Sequence, residues 1–194
     1  MAIKFSLSLP VEKAFPTAVK NGVGEAFSID TNYRTALKIM RLYGDEDVME
    51  DHKLALLLNW FYLNETPPDV MEAIHLMNAF IRNAGDEDEE IRRMTPQFDY
   101  EFDSEEIYVS FISDYQIDLY ETEYMHWHKF QMLLVNLSMD SPFQRKIQLR
   151  FADLKGLKGE QHSKAVRAKR RVQIPQKFTR EEEAAIKNIL EQLK

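Results

Sequence analysis

Cysteine is absent from the 194 residues. Disulfides, thiolate zinc sites, iron–sulfur clusters and a cysteine nucleophile are therefore excluded. Glycine is scarce, at 6 residues, which argues against a turn-rich β-sandwich or barrel. The longest apolar run, Leu54 to Leu58 resuming at Trp60, falls far short of the ~20 residues that span a bilayer. No apolar stretch of signal-peptide length follows Met1 to Phe5, so a soluble protein of the cytoplasm is expected. A phosphate-cradling glycine loop is missing too. Gly22 and Gly24 form the one close glycine pair, without the helix-start glycine or lysine such loops need. No serine stands in a nucleophile elbow. An enzyme is not expected.

What is present suits a folded core. Hydrophobic residues make up 44 % and aromatics 11 %, enough for one domain with trimmings. The net charge of −7 is unevenly spread. Between Gly85 and Glu123 fourteen Asp or Glu face only Arg92 and Arg93. Between Arg145 and Lys177 eleven Lys or Arg face only Asp153 and Glu160. An acidic middle thus meets a basic tail, a pattern of nucleic-acid arms and equally of mutually attracting protein segments.

Phe5, Leu7 and Leu9 alternate with polar residues as in a half-buried strand. Asn21-Gly22, between Thr17-Ala18-Val19 and Ala26-Phe27-Ser28-Ile29, predicts a hairpin. Helices follow. Asp30 reads as an N-cap before Tyr33, Ala36, Leu37, Met40 and Tyr43, with Gly44 at the end. A second helix over 47–62 is apolar nearly all round, which places it at the centre of the core. Pro67 and Pro68 start a third helix through Val70, Met71, Ile74, Met77, Phe80 and Ile81, ended by Gly85. Asp86 to Glu90 reads as an acidic surface loop. Asp103 and Glu106 resemble a capping box ahead of Ile107, Tyr108, Phe111, Ile112 and Tyr115. Thr122 reads as the cap of the most aromatic helix, and Ser141-Pro142 opens another. The polar run after Lys155 buries little. Thr179 with Glu182 caps a short last helix along Ala185, Ile189 and Leu193.

The expected fold is mainly α: a single helical domain of six or seven helices with a small N-terminal β-hairpin. Residues 1–30 form an extended segment and hairpin, 31–154 the helical core, and 155–194 a basic linker and C-terminal helix.

Candidate sites are few. His126 and His128 are two apart, ~200° around a helix, so they should diverge, and no third ligand lies nearby. They read as ordinary surface or half-buried histidines, without a metal or catalytic role. The carboxylate clusters sit at helix starts or in loops, where acids are solvated and stabilising. The basic set Lys164, Arg167, Lys169, Arg170 and Arg171 could neutralise phosphates. However, the chain is acidic and aromatics do not interleave with these cations, so pairing with an acidic protein surface is preferred over nucleic acid. Most of the Tyr, Trp, Phe and Met content is core. An exposed remainder would mark a partner site, and Trp60, Tyr124 and Trp127 are its candidates. No cofactor or metal is expected.

Three stretches together resemble a known family. The first is residues 27–34, Phe27 through Tyr33 and Arg34. The second joins Phe98, Asp99, Tyr100 and Glu101 to Ile107-Tyr108-Val109-Ser110-Phe111 and Tyr115-Gln116-Ile117-Asp118-Leu119. The third is Tyr124-x-x-Trp127-x-x-Phe130, followed by Leu133 to Leu137, Ile147 to Arg150 and a Lys/Arg-rich end. Over residues 17–175 the chain resembles the bacteriophage gene-product-fifteen family of tailed phages and prophages of Gram-positive bacteria. The resemblance carries no catalytic residues. It implies a tail assembly chaperone that coats the helical tape measure protein, with the major tail protein as a further partner. The protein would act in the host cytoplasm and be absent from the mature virion. Two other readings are a tail completion or connector protein retained in the virion, and a nucleic-acid-binding regulator using the basic tail. Acidic middle and basic tail could also join copies head to tail into an open or ring oligomer.

Overall fold

The computed structural model describes residues 14–82 and 97–175. The expected strand at Phe5–Leu9, the acidic run at 86–90 and the helix from Thr179 lie outside these residues. Among the described residues the chain forms a two-stranded antiparallel hairpin and seven helices. The strands are β1 (Ala18–Lys20) and β2 (Ala26–Ser28). The helices are α1 (Tyr33–Tyr43), α2 (Glu50–Phe61), α3 (Val70–Arg82), α4 (Ser104–Tyr115), α5 (Trp127–Val135), α6 (Pro142–Phe151) and α7 (Gly159–Arg171).

The hairpin closes where Asn21-Gly22 predicts, with Val19 opposite Phe27. Asn21 does the closing. Its Oδ1 accepts from the Glu25 N–H at 2.8 Å, and the positive φ of the turn (+87°) falls on Gly24.

Residues 28–33 then act as a backbone brace. The Leu63 N–H donates to the Ser28 carbonyl and the Asp30 N–H to that of Phe61, tying the brace to the exit of α2. The Trp127 N–H donates to the Thr31 carbonyl at 2.7 Å and the Tyr33 N–H to that of Met125, tying it to the entry of α5. Asn32, not Asp30, caps α1 by accepting from the Arg34 N–H. The Asp30 carboxylate instead accepts from the Asn32 N–H and the Thr35 hydroxyl.

The core centres on α5. Trp127, Phe130 and Leu134 are fully enclosed there, and Phe61, Phe111, Ile39, Leu57 and Met77 are buried as completely. Phe130 stacks on Tyr33 (5.0 Å between centroids), Phe111 (5.2 Å) and Trp127 (5.6 Å). Such offset pairs add about 0.5–1.5 kcal/mol each beyond area burial.

Three further sequence expectations are corrected. First, α2 is not central. It packs on α1 and α3 and buries only Lys53, Leu57 and Phe61, leaving Ala55 and Leu56 exposed. Second, the aromatic helix begins at Trp127 with His126 as N-cap. Thr122 belongs to the preceding turn, where its hydroxyl donates to the Asp118 carbonyl. Third, Asp103 does not cap α4 with its side chain. Its carboxylate accepts from the Asp99 N–H at 3.0 Å.

The chain divides into two compact units, 1–145 and 146–194, with the break inside α6. Composition had placed a boundary at 154/155. Among the described residues of the second unit, Gly159–Arg171 is helical, within the stretch expected as a basic linker. The Arg150 guanidinium donates to the Val172 carbonyl and the Lys169 ammonium to that of Ala152. Nevertheless α7 has no buried residue. The charge follows the same division. The first unit holds 12 Lys/Arg against 26 Asp/Glu, net −14, and the second 13 against 6, net +7.

Candidate functional site

In the first unit an open cleft of about 360 Å3 lies between α1 and α4. That is within the roughly 300–1,000 Å3 typical of ligand clefts. Its floor is apolar: Tyr33, Leu37, Ile107, Leu119 and Phe130, with Tyr100 alongside. Burial pushes the Tyr100 hydroxyl up to about 12, so it stays a neutral donor. One rim carries Arg34, Lys38 and Arg41, the other Glu101, Ser104 and Tyr108. Tyr120 stands at the mouth, 80 % exposed, edge-on to Tyr108 at 5.1 Å.

The wall between Leu119 and Thr122 is fixed from both sides. Arg34 Nη2 donates to the carbonyls of Leu119 and Tyr120, each at 2.8 Å, and to Thr122 at 3.3 Å. Asp118 accepts from the Tyr120 and Glu121 N–H groups and from the Tyr108 hydroxyl. Partial desolvation raises its pKa, but these donors outweigh that and hold the carboxyl below its usual value. The cleft is thus built before any partner arrives.

The three rim cations differ. Arg34 is committed to carbonyls. The Lys38 ammonium sits 3.5 Å over the Trp60 ring, which couples that half-buried indole to the rim. Arg41 is exposed and makes no ion pair with a described residue.

Of the aromatic candidates, Trp127 drops out as a contact residue. It is fully buried and its indole N–H donates to the Ile81 carbonyl at 2.7 Å. Tyr124 is 58 % exposed, with its hydroxyl bonded to that of Thr31. The basic candidates lie in the other unit, on α7. Lys164 pairs with Glu160 at 2.7 Å and Lys169 is tied to Ala152. Arg167, Arg170 and Arg171 are exposed without a described ion partner.

His126 and His128 do not diverge. His126 is the N-cap, so helical geometry does not apply to it, and the two rings lie 5.1 Å apart. Both are buried. Each Nε2 meets a carbonyl, that of Pro16 for His126 and of Phe80 for His128, so each carries its proton there. His126 Nδ1 accepts from the His128 N–H. Three of their four ring nitrogens are used internally, and among the described residues no group of three or more His, Asp or Glu could hold a metal ion.

The cleft residues Lys38, Arg41, Tyr100 and Tyr120 were not singled out as a site from sequence. A signal existed: Arg34, Lys38 and Arg41 fall at i, i+4 and i+7, one face of a helix that has no acid.

Fold and cleft define a small, mainly helical protein with an open, apolar-floored cleft. A family model for the Bacteriophage Gp15 protein matches residues 18–174, most of the chain, and the chain belongs to that family. No curated protein and no solved structure matches it. Membership indicates a phage structural or assembly role. No helix of the described residues is long and apolar enough to cross a membrane.

Proposed function

We propose that the protein is a tail assembly chaperone that binds the tape measure protein during tail morphogenesis. One observation carries this reading. The three stretches of the family resemblance converge on the α1–α4 cleft: Tyr33 and Arg34 from the first, Tyr100, Ile107, Tyr108 and Leu119 from the second, Phe130 from the third. A preformed apolar cleft with charged rims suits side chains of a helical partner. The uncovered Leu56 side of α2 adds apolar surface of the kind partners cover.

The charge division between the units supports repeated copies along one partner. The basic unit of one copy would face the acidic unit of the next, a heterologous contact that builds rings or open arrays. Weak sites in a row then hold a long partner by avidity. The major tail protein, polymerising over the same partner, would displace the copies.

Co-expression with the tape measure protein, followed by pull-down and light scattering, tests the reading. A soluble complex with many copies of this chain supports it. A tape measure protein that still precipitates while this chain elutes alone refutes it. A chaperone should also be missing from purified virions, whereas a tail completion or connector protein would be found there. The guanidiniums of Arg167, Arg170 and Arg171, exposed and without an ion partner among the described residues, favour one other reading, a nucleic-acid-binding regulator, and salt-sensitive DNA binding would support it.

A further inference from the structure

We infer that the α1–α4 cleft selects an acidic amphipathic helix, seating apolar side chains on its floor and carboxylates along the α1 rim. The inference rests on the reading above, in which the partner is a helical protein, and names the chemistry of the segment that is bound.

The argument begins with α1. It carries three cations and no carboxylate within a unit of net charge −14. Among the described residues, no other helix lying wholly within that unit carries more than one Lys or Arg. The three α1 cations form a row that spans about 10 Å at 1.5 Å rise per residue. A partner helix lying along α1 presents its own residues at i, i+4 and i+7 with the same repeat. Carboxylates at those positions would meet Arg34, Lys38 and Arg41 in register.

The rim cations are available in different degrees, and this sets the roles. Arg34 spends its Nη2 and Nε donors on the Leu119–Thr122 wall and on the Tyr33 hydroxyl, so it mainly shapes the cleft. Lys38 is held in place over Trp60 with ammonium hydrogens left to donate. Arg41 is unpaired among the described residues and offers a planar fork to a carboxylate. Glu101 on the opposite rim repels acids there. The ligand helix must therefore keep its acids on the α1 side and its apolar stripe beside them.

The same features disfavour nucleic acid at this site. Tyr33 and Phe130 are buried and stacked on each other, which leaves Tyr120 as the one exposed ring of the lining, where stacking of successive bases needs several. The surrounding acidic unit repels a polyanion, while a short run of carboxylates on a partner helix meets only the rim.

Fluorescence anisotropy of the full chain with two labelled synthetic helical peptides tests the inference. One peptide has a Leu/Phe stripe flanked by Glu; in the other, Lys replaces every Glu. The acidic peptide should bind and weaken as salt rises. The double variant Lys38→Glu/Arg41→Glu, both exposed, should stay folded and melt within about 2–4 °C of the parent, the cost of losing the Lys38–Trp60 contact. It should lose the acidic peptide by about tenfold and gain affinity for the basic one. Preference of the parent for the basic peptide, binding of neither, or equal acidic-peptide affinity in the double variant each overturns the inference. Displacement of the acidic peptide by a labelled DNA duplex that itself depends on Lys38 and Arg41 also overturns it, in favour of nucleic acid. Co-expression separates this from the parent reading. If the double variant solubilises the tape measure protein as well as the parent does, the inference falls and the chaperone reading stands. If the acidic peptide binds the cleft but the tape measure protein is never captured, the reverse holds.

Discussion

Acid should loosen this fold well before carboxylates titrate, and His128 is the reason. Its ring is buried against Phe80 (4.5 Å between centroids) and His126, with Nε2–H donating to the Phe80 carbonyl. Burial pushes its pKa down from 6.5 to about 4, against the raising effect of that hydrogen bond; the nearby His126 lowers it further. A depressed histidine pKa means that the neutral form is favoured in the fold. The contribution is therefore fully present above pH 6.5 and is lost as pH falls toward the folded-state value. One pKa unit corresponds to about 1.4 kcal/mol, so linkage removes about 2 kcal/mol by pH 5 and about 3 kcal/mol by pH 4. His126 acts in the same direction. Its pKa is lowered chiefly by burial. Protonation would also put a hydrogen on Nδ1, which now accepts from the His128 N–H at the start of α5. Urea unfolding at a series of pH values would measure this, with His128→Gln as the comparison, since glutamine keeps a donor for the Phe80 carbonyl and does not titrate. The parent should lose about 2 kcal/mol more than the variant between pH 7 and pH 5. Parallel profiles for the two proteins over that interval would refute the reasoning.

Four further outcomes are expected. Phe130→Ala removes a ring stacked on three others and should destabilise by about 3–5 kcal/mol in denaturant unfolding. Gln116 ends α4 with a left-handed backbone (φ +56°), so Gln116→Gly should raise stability by up to about 1 kcal/mol in the same assay. Lys53 is buried and bonded at 2.6 Å to the exposed Glu50, and Lys53→Met should leave the unfolding free energy within about 1 kcal/mol or improve it. If copies associate through opposite charge as proposed, the parent should self-associate in a salt-sensitive way in sedimentation velocity, and reversing Arg167, Arg170 and Arg171 to Glu should abolish this without changing the melting of the first unit, because α7 buries none of its residues.

The sequence disclosed local geometry better than neighbourhood. Asn21-Gly22 marked the hairpin because turn chemistry is set within a few residues. The stripes of α1, α3 and α4 were visible in part: Tyr33, Ala36, Met77, Phe80, Ile81, Ile107 and Phe111 are buried, but Tyr43, Val70, Met71 and Ile112 are exposed, and the buried Ile39 and Leu42 were not in the expected stripe. The prominence given to α2 failed for a physical reason. An apolar helix is apolar whether its second face meets the core or awaits a partner, and periodicity cannot tell these apart. The histidines were misjudged because a cap residue leaves the helical register, and capping here is done by an imidazole, outside the usual Ser, Thr, Asp and Asn set. The cleft needed tertiary structure, since α1 and α4 are brought together by residues 118–122, which neither helix contains. The cationic face of α1 was readable, but its meaning depended on what lay across from it.

Residues that carry the family resemblance and residues that would choose the partner are largely different sets. Tyr33, Ile107 and Phe130 floor the cleft and are buried in the core at the same time. Changing them should cost stability first and binding only as a consequence. Lys38, Arg41, Ser104 and Tyr120 also line the cleft, yet lie outside the resembling stretches and are exposed. Such rim positions can change at little cost to the fold, since surface substitutions usually shift stability by no more than about 0.5 kcal/mol. Replacing Lys38 and Arg41 should accordingly alter which peptide is preferred while the urea midpoint moves little. Replacing Tyr33 by Ala should lower the midpoint and weaken acidic and basic peptides alike. If the Tyr33 variant instead melted normally and lost only one peptide, the floor itself would be the selective element, and the division between fold and rim would not hold.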